Sequence, residues 1–229
     1  MEEYFLPSVT TVLDKQPEPQ GLKYWKQKYD GTGDKKHWRD ILNYKANRGT
    51  LAHYDLLNEF EDGDMYSANE KNSEEQLKEN NNYERHTDEM EYVENAWEEI
   101  KELRGITEKT VRDVECFVTN AGIGYAGQFD ILYIDKNGEL VLSDLKTSKR
   151  VYDKHKMQLV AYDNAIALDI DILEIIKIHP DSESYRISHS TEWDESRSEL
   201  FGEFAQLRGK MTNVEEEFRQ IAEDGIDDE

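Results

Sequence analysis

The sequence predicts an α/β or α+β fold, with helices packed against one sheet. Apolar residues recur at helical intervals through much of the first hundred positions. From Val111 the period changes to that of strands, and a helix, a hairpin and a last helix follow. The 229 residues suit one domain, 1–229, with a sizeable core. Hydrophobic residues make up only 37% of the chain, but 10% is aromatic, so a chain disordered throughout is not expected.

The elements follow in order. Ser8 is placed to cap a short helix carrying Val9, Val12 and Leu13, because its hydroxyl can accept an orphan amide. Pro17, Pro19 and Gly21 punctuate the next stretch. Trp38, Ile41, Leu42 and Lys45 are spaced for a helix running from Asp34 through His53 and ending near Phe60. Residues 61–90 contain Asp62-Gly63-Asp64 and Asn80-Asn81-Asn82, and read as an acidic flexible insertion or as weak helices. Tyr92, Ala96, Trp97, Ile100 and Leu103 restore a helical stripe before Gly105.

Strands are expected at 114–118, 127–134 and 140–145, where branched and aromatic residues gather. A helix over 153–168 presents Met157, Val160, Ala161 and Ala165 on one face. A strand over 173–178 is broken by Pro180-Asp181, and 185–189 returns beside it. Leu200, Phe204, Leu207 and Met211 mark a final helix from about Glu199, with a frayed acidic tail after 221.

Charge is unevenly spread. The chain holds 51 acidic and 28 basic side chains, a net of −23. Residues 54–99 and 163–229 each carry −13, whereas 1–53 carry +2 and 141–162 carry +3. Local potential, not the total, governs whether a polyanion binds. The single cysteine, Cys116, excludes an internal disulfide framework and an all-cysteine zinc or iron–sulfur site. Met1-Glu2-Glu3 opens acidic, and no apolar run approaches about 18 residues. A cytoplasmic protein with no membrane partner is expected.

The central hairpin gathers ionisable groups. A three-residue loop at 136–138, with Gly138 in the left-handed position, sets Asp135 against Glu139 and Asp130 against Asp144. Their β-carbons then stand about 5 Å apart. Strict alternation places Asp130, Leu132 and Ile134 on one face, opposite Leu140, Leu142, Asp144 and Lys146. Two opposed carboxylates repel, so a cation between them is the economical solution, and a solvated surface pair with Lys146 is the bland one. Gln158 and Tyr162, four apart, share a helix face; His53 follows Arg48-Gly49-Thr50-Leu51-Ala52.

These pieces resemble the PD-(D/E)XK nuclease superfamily, particularly its RecB-like exonuclease branch. The match is ordered: Gly49-Thr50-Leu51-Ala52-His53, Glu115, Gly127-Gln128-Phe129-Asp130, Asp144-Leu145-Lys146-Thr147 and Gln158-Leu159-Val160-Ala161-Tyr162. It covers about residues 49–162. Leu6-Pro7-Ser8-Val9-Thr10 also looks like the entrance motif of RecB-like and mitochondrial genome-maintenance exonucleases. The resemblance implies a restriction-endonuclease-like core with a central mixed sheet flanked by helices. It further implies a metal-dependent DNA nuclease, of exonuclease type, hydrolysing phosphodiester bonds with metal-activated water.

Carried over position by position, His53, Asp130, Asp144 and the Leu145 carbonyl look like metal ligands for one or two Mg2+ or Mn2+ ions. Lys146 looks like the residue that orients or activates the attacking water. Glu115 resembles an additional acid of some members, and Gln158 and Tyr162 resemble a supporting pair that also contacts DNA. Ser8, Thr10, Arg48, Thr50, Thr147, Lys149, Arg150, Lys154 and Lys156 complete the expected DNA-contacting set, with Lys35, Lys36, Arg39 and Lys45 as a second positive surface. Cys116 alone cannot build the iron–sulfur cluster of some RecB-like nucleases. With no Walker motif, unwinding would need a partner: a helicase or another replication or recombination protein. The competing readings are a noncatalytic nuclease-like scaffold that binds DNA or protein, and an acidic DNA mimic.

Overall fold

The computed structural model describes the backbone of residues 6–33, 36–61 and 67–224, and the side chains of those up to 211. Its helices are α1 (Val9–Leu13), α2 (Gln20–Lys28), α3 (Trp38–Leu57), α4 (Ala68–Glu79) and α5 (Tyr83–Arg104), then α6 (Asp153–Asp163) and α7 (Arg197–Asp224). The strands are β1 (Val111–Asn120), β2 (Tyr125–Ile134), β3 (Leu140–Lys146), β4 (Ile172–His179) and β5 (Ser184–His189). Expected Asp34 and Lys35, the 62–64 turn and the acidic end of the tail lie outside the described residues. Within 61–90, α4 and the first turns of α5 are formed, and α4 opens with a capping box between Ser67 and Glu70.

The sheet runs β1-β2-β3-β4-β5, antiparallel except for β3 beside β4. That parallel pair needs a crossover, and α6 supplies it. The β2–β3 hairpin has the expected register, from Ile134–Leu140 to Ile131–Ser143, with Gly138 at φ 85°. Ser8 caps α1, accepting from the Thr11 amide at 3.1 Å, and Pro7 accepts from the Ala126 amide at 3.0 Å, fastening the entrance segment to β2. This is an α+β, restriction-endonuclease-like architecture with a mixed sheet between helices. Among the described residues no helix is long and apolar enough to cross a membrane.

Each sheet face has its own core. One packs Leu132, Leu142, Leu173 and Ile175 beneath α1, α6 and α7, with Val12, Val160 and Phe204. The other packs Ile131, Tyr133, Val141 and Ile176 beneath α3 and α5, with Leu57, Trp97 and Ile100. Each such side chain contributes about 1.5–3 kcal/mol on burial. A polar network is set into the second face. Glu174, fully buried, accepts from Tyr133 and Ser143, each at 2.7 Å, and pairs with Arg104 and His189, each at 2.9 Å. Burial alone would raise its pKa; the His189 hydrogen bond, Arg104 and the two hydroxyls outweigh that and lower it.

Candidate metal centre

Three carboxylates stand in a row across β1, β2 and β3. Val114–Ile131 and Cys116–Phe129 bracket Glu115 and Asp130, and the β2–β3 register continued by one residue reaches Asp144. The β2–β3 ladder stops short of this rung, at Ile131–Ser143. There the Leu145 amide leaves the ladder and donates to Asp130 Oδ2 at 2.6 Å.

The strands turn over at the same rung. Val114 and Ile131 pack beneath α3 and α5, whereas Cys116, Val118 and Phe129 pack toward α6 and α7. Regular alternation would keep Val114, Cys116 and Val118 on one face. Glu115 explains the change: its φ of 46° is left-handed, a strained conformation for a residue with a Cβ. Gln128 Nε2 donates to the Glu115 carbonyl at 2.8 Å and holds that conformation. The expectation that Asp130 simply alternates with Leu132 and Ile134 is therefore corrected. Phe129 and Leu132 share a core, and the reversal falls between them, at Asp130 and Ile131.

His53 comes to this rung from the fifth turn of α3, where Leu56 and Leu57 anchor the helix on the sheet. Its Nε2 is 3.1 Å from the Leu145 carbonyl, and its Nδ1 is 3.5 Å from Glu115 Oε1 and 3.6 Å from Asp130 Oδ1. Burial would lower the imidazole pKa; Asp130 first, then Glu115, push it up to about 9. Without metal the ring thus carries a proton on both nitrogens. A cation can replace the Nδ1 proton while Nε2–H stays on Leu145, a second contact that orients a ligating ring. His53, Glu115 and Asp130 offer ligand atoms within 4.8 Å of one another.

Asp144 lies beside this cluster. Oδ1 accepts from Lys146 Nζ at 2.7 Å, whereas Oδ2 is buried with no hydrogen-bond partner. Burial raises the Asp144 pKa, Lys146 opposes that, and Asp130 raises it further. An unpartnered carboxylate oxygen beside imidazole and two more carboxylates is what an oxygen- and nitrogen-ligated divalent ion would satisfy. The residues fit such an ion, and this cluster has the capacity to bind one. Burial would lower the Lys146 pKa, but Asp144 and then Asp130 raise it, so the side chain stays an ammonium.

The remaining expected residues divide. Gln158 Nε2 donates to Tyr162 Oη at 2.8 Å, so the pair forms as its spacing requires. The Tyr162 ring lies against Gly127, where an added Cβ would be 2.4 Å from Cε1. The Leu145 carbonyl faces His53 Nε2, which makes it a support for that ring in the metal-free protein. Ser8 and Thr10 hydroxyls bond each other at 2.9 Å, and Thr50 Oγ1 donates within α3 to the Ala46 carbonyl. Lys149 and Arg150 are exposed just beyond β3.

Arg48 requires a correction as a DNA contact. It is 1% exposed, paired with Glu89 at 2.5 Å and Asp181 at 3.3 Å, and donates to the Thr147 carbonyl at 3.0 Å. It ties α3 to α5 and to the end of β3. Lys154 and Lys156 are likewise engaged, with Asp14 and with Glu195 and Asp153, and only half-exposed. Sequence reasoning passed over Gln128, although it lies in the quoted Gly127-Gln128-Phe129-Asp130 run, and His155. Burial, then Lys146 and Lys154, lower the His155 pKa to about 3, so a neutral ring stands beside the ammonium.

No protein-family model matches the chain, and no curated protein matches it. Among solved structures, the crystal structure of SSO0001 aligns with a TM-score of 0.35 and 14% identity, covering 75% of this chain and 74% of that one. The mixed sheet and the His53–Glu115–Asp130 cluster are consistent with a nuclease-like superfamily and single out no branch of it.

Proposed function

We propose that this chain is a divalent-metal-dependent deoxyribonuclease of the RecB-like type, hydrolysing phosphodiester bonds from DNA ends with Mg2+ or Mn2+. The observation that carries the reading is the rung of Glu115, Asp130 and Asp144, closed by His53 on one side and Lys146 on the other. His53 Nδ1, Glu115, Asp130 and Asp144 Oδ2 would hold the ion. When bound, it would supply Lewis-acid neutralisation of phosphate charge and lower the pKa of water at the site.

The chain's own residues do the rest. Lys146, kept as an ammonium, donates to the nonbridging oxygens as charge accumulates on them, and Asp144 Oδ1 fixes its direction. Gln158 orients the Tyr162 hydroxyl next to the same carboxylates. The order of the motifs and the Pro7-Ser8 segment fastened beside β2 favour action at ends.

The test is a matched time course on linear and covalently closed circular DNA, single- and double-stranded, with Mn2+ or Mg2+, for the wild type and Asp144→Ala. Metal-dependent loss of linear DNA by the wild type alone is expected. Equal traces for the two proteins would overturn the reading, and binding without cutting would return the chain to the scaffold class.

A further inference from the structure

Beyond the carboxylate rung, the β1–β2 hairpin leaves one face uncovered. Cys116, Val118 and Phe129 turn toward α6 and α7, so the residues between them turn the other way, toward the side from which His53 arrives. Phe117 is the extreme case. It is 77% exposed, more than any other large hydrophobic residue described. Its Cα partner is Gln128, the residue that pins the Glu115 carbonyl. Glu115 and Phe117 are two apart on β1, about 7 Å along an extended strand, and Glu115 reaches His53 on the side that Phe117 faces.

An exposed phenyl ring forgoes the stabilisation of burial. Here it stands one strand repeat from a cluster able to hold a cation. We propose that Phe117 is a stacking platform for an unpaired nucleobase whose phosphate sits at the His53–Glu115–Asp130 cluster. The inference rests on the proposed DNA nuclease reading and adds the substrate class: a strand whose end is not base-paired. A π-face accepts any base and reads no sequence. Inside a duplex each base is stacked on both faces, whereas an unpaired base offers the ring a free face and the freedom to turn toward it. Phe117 acts through the substrate's position, not on the scissile bond.

The experiment compares wild type, Phe117→Ala and Phe117→Trp with Mn2+, on a short single-stranded oligodeoxynucleotide, its blunt duplex and methyl 4-nitrophenyl phosphate. Phe117→Ala should raise KM for the single strand roughly 5- to 150-fold, the range of one lost base stack, with kcat much less affected. The penalty on the single strand should exceed that on the small diester at least fivefold, and Phe117→Trp should restore the wild-type KM. An unchanged KM in Phe117→Ala, or equal losses on single strand and small diester, would overturn the stacking role while leaving the nuclease reading intact. A wild type that hydrolyses none of the three would overturn both.

Discussion

Lys146 Nζ lies 2.7 Å from Asp144 Oδ1, yet the other oxygen of that carboxylate is buried and unpartnered. Two cationic groups, Lys146 and His53, flank the rung, and neither satisfies that oxygen. In the metal-free protein Asp144→Asn removes a charge facing Asp130 and should leave the melting temperature equal to or above that of the wild type. Added Mn2+ should raise the wild-type melting temperature and raise that of Asp144→Asn far less. Thermal scans in chelator and in Mn2+ check both statements.

Lys146→Met keeps the length of the side chain and removes its charge. It should lower kcat for DNA cleavage by about 100-fold or more, while metal-dependent association with DNA persists. Single-turnover cleavage alongside fluorescence anisotropy separates the two. Loss of association together with the fold would undermine the assigned role.

Glu115 combines a ligand role with a strained backbone. Glu115→Gly relieves a left-handed φ of 46° and should stabilise the metal-free protein by about 1 kcal/mol, while weakening Mn2+ binding. Urea unfolding and Mn2+ titration of the same sample should thus move in opposite directions.

Gly127 lies beneath the Tyr162 ring, which is buried and flanked by Val9. A Cβ there would be 3.0 Å from Tyr162 Cδ1 and 3.1 Å from Val9 Cγ2 as well. Gly127→Ala should cost about 1–3 kcal/mol by overpacking, read from urea unfolding, and should disturb the Gln158–Tyr162 pair.

The Glu174 network predicts an acid limit. The folded-state pKa of Glu174 is lowered, so its contribution is present above the unfolded value of about 4.3 and is lost as pH falls through the lower folded value. The melting temperature of the wild type should fall below about pH 4. Glu174→Gln should flatten that decline.

The rung was readable because hairpin register follows from loop length. A three-residue loop ending in Gly138 determines the β2–β3 pairs from Ile134–Leu140 to Ile131–Ser143, and that register extended by one residue opposes Asp130 to Asp144. The overturned faces were not readable. Nothing about a glutamate announces a left-handed φ, so the reversal it forces on the paired strands was hidden, and strict alternation along β2 grouped Asp130 with Leu132 and Ile134. Arg48 misled for a related reason. Its type suits phosphate, but Glu89 and Asp181 come from elements distant in sequence, and their proximity is a tertiary fact. His53 was legible by its place in a motif, whereas the division of labour between its two nitrogens needed the Leu145 carbonyl in space.

The most direct measurement is Mn2+ titration followed by the electron paramagnetic resonance signal of the free ion, on wild type and Asp130→Asn. A saturable loss of free Mn2+ with the wild type, much weakened in the variant, is predicted. Equal titrations for both proteins, or no uptake by either, would contradict a cation site at the rung of Glu115, Asp130 and Asp144.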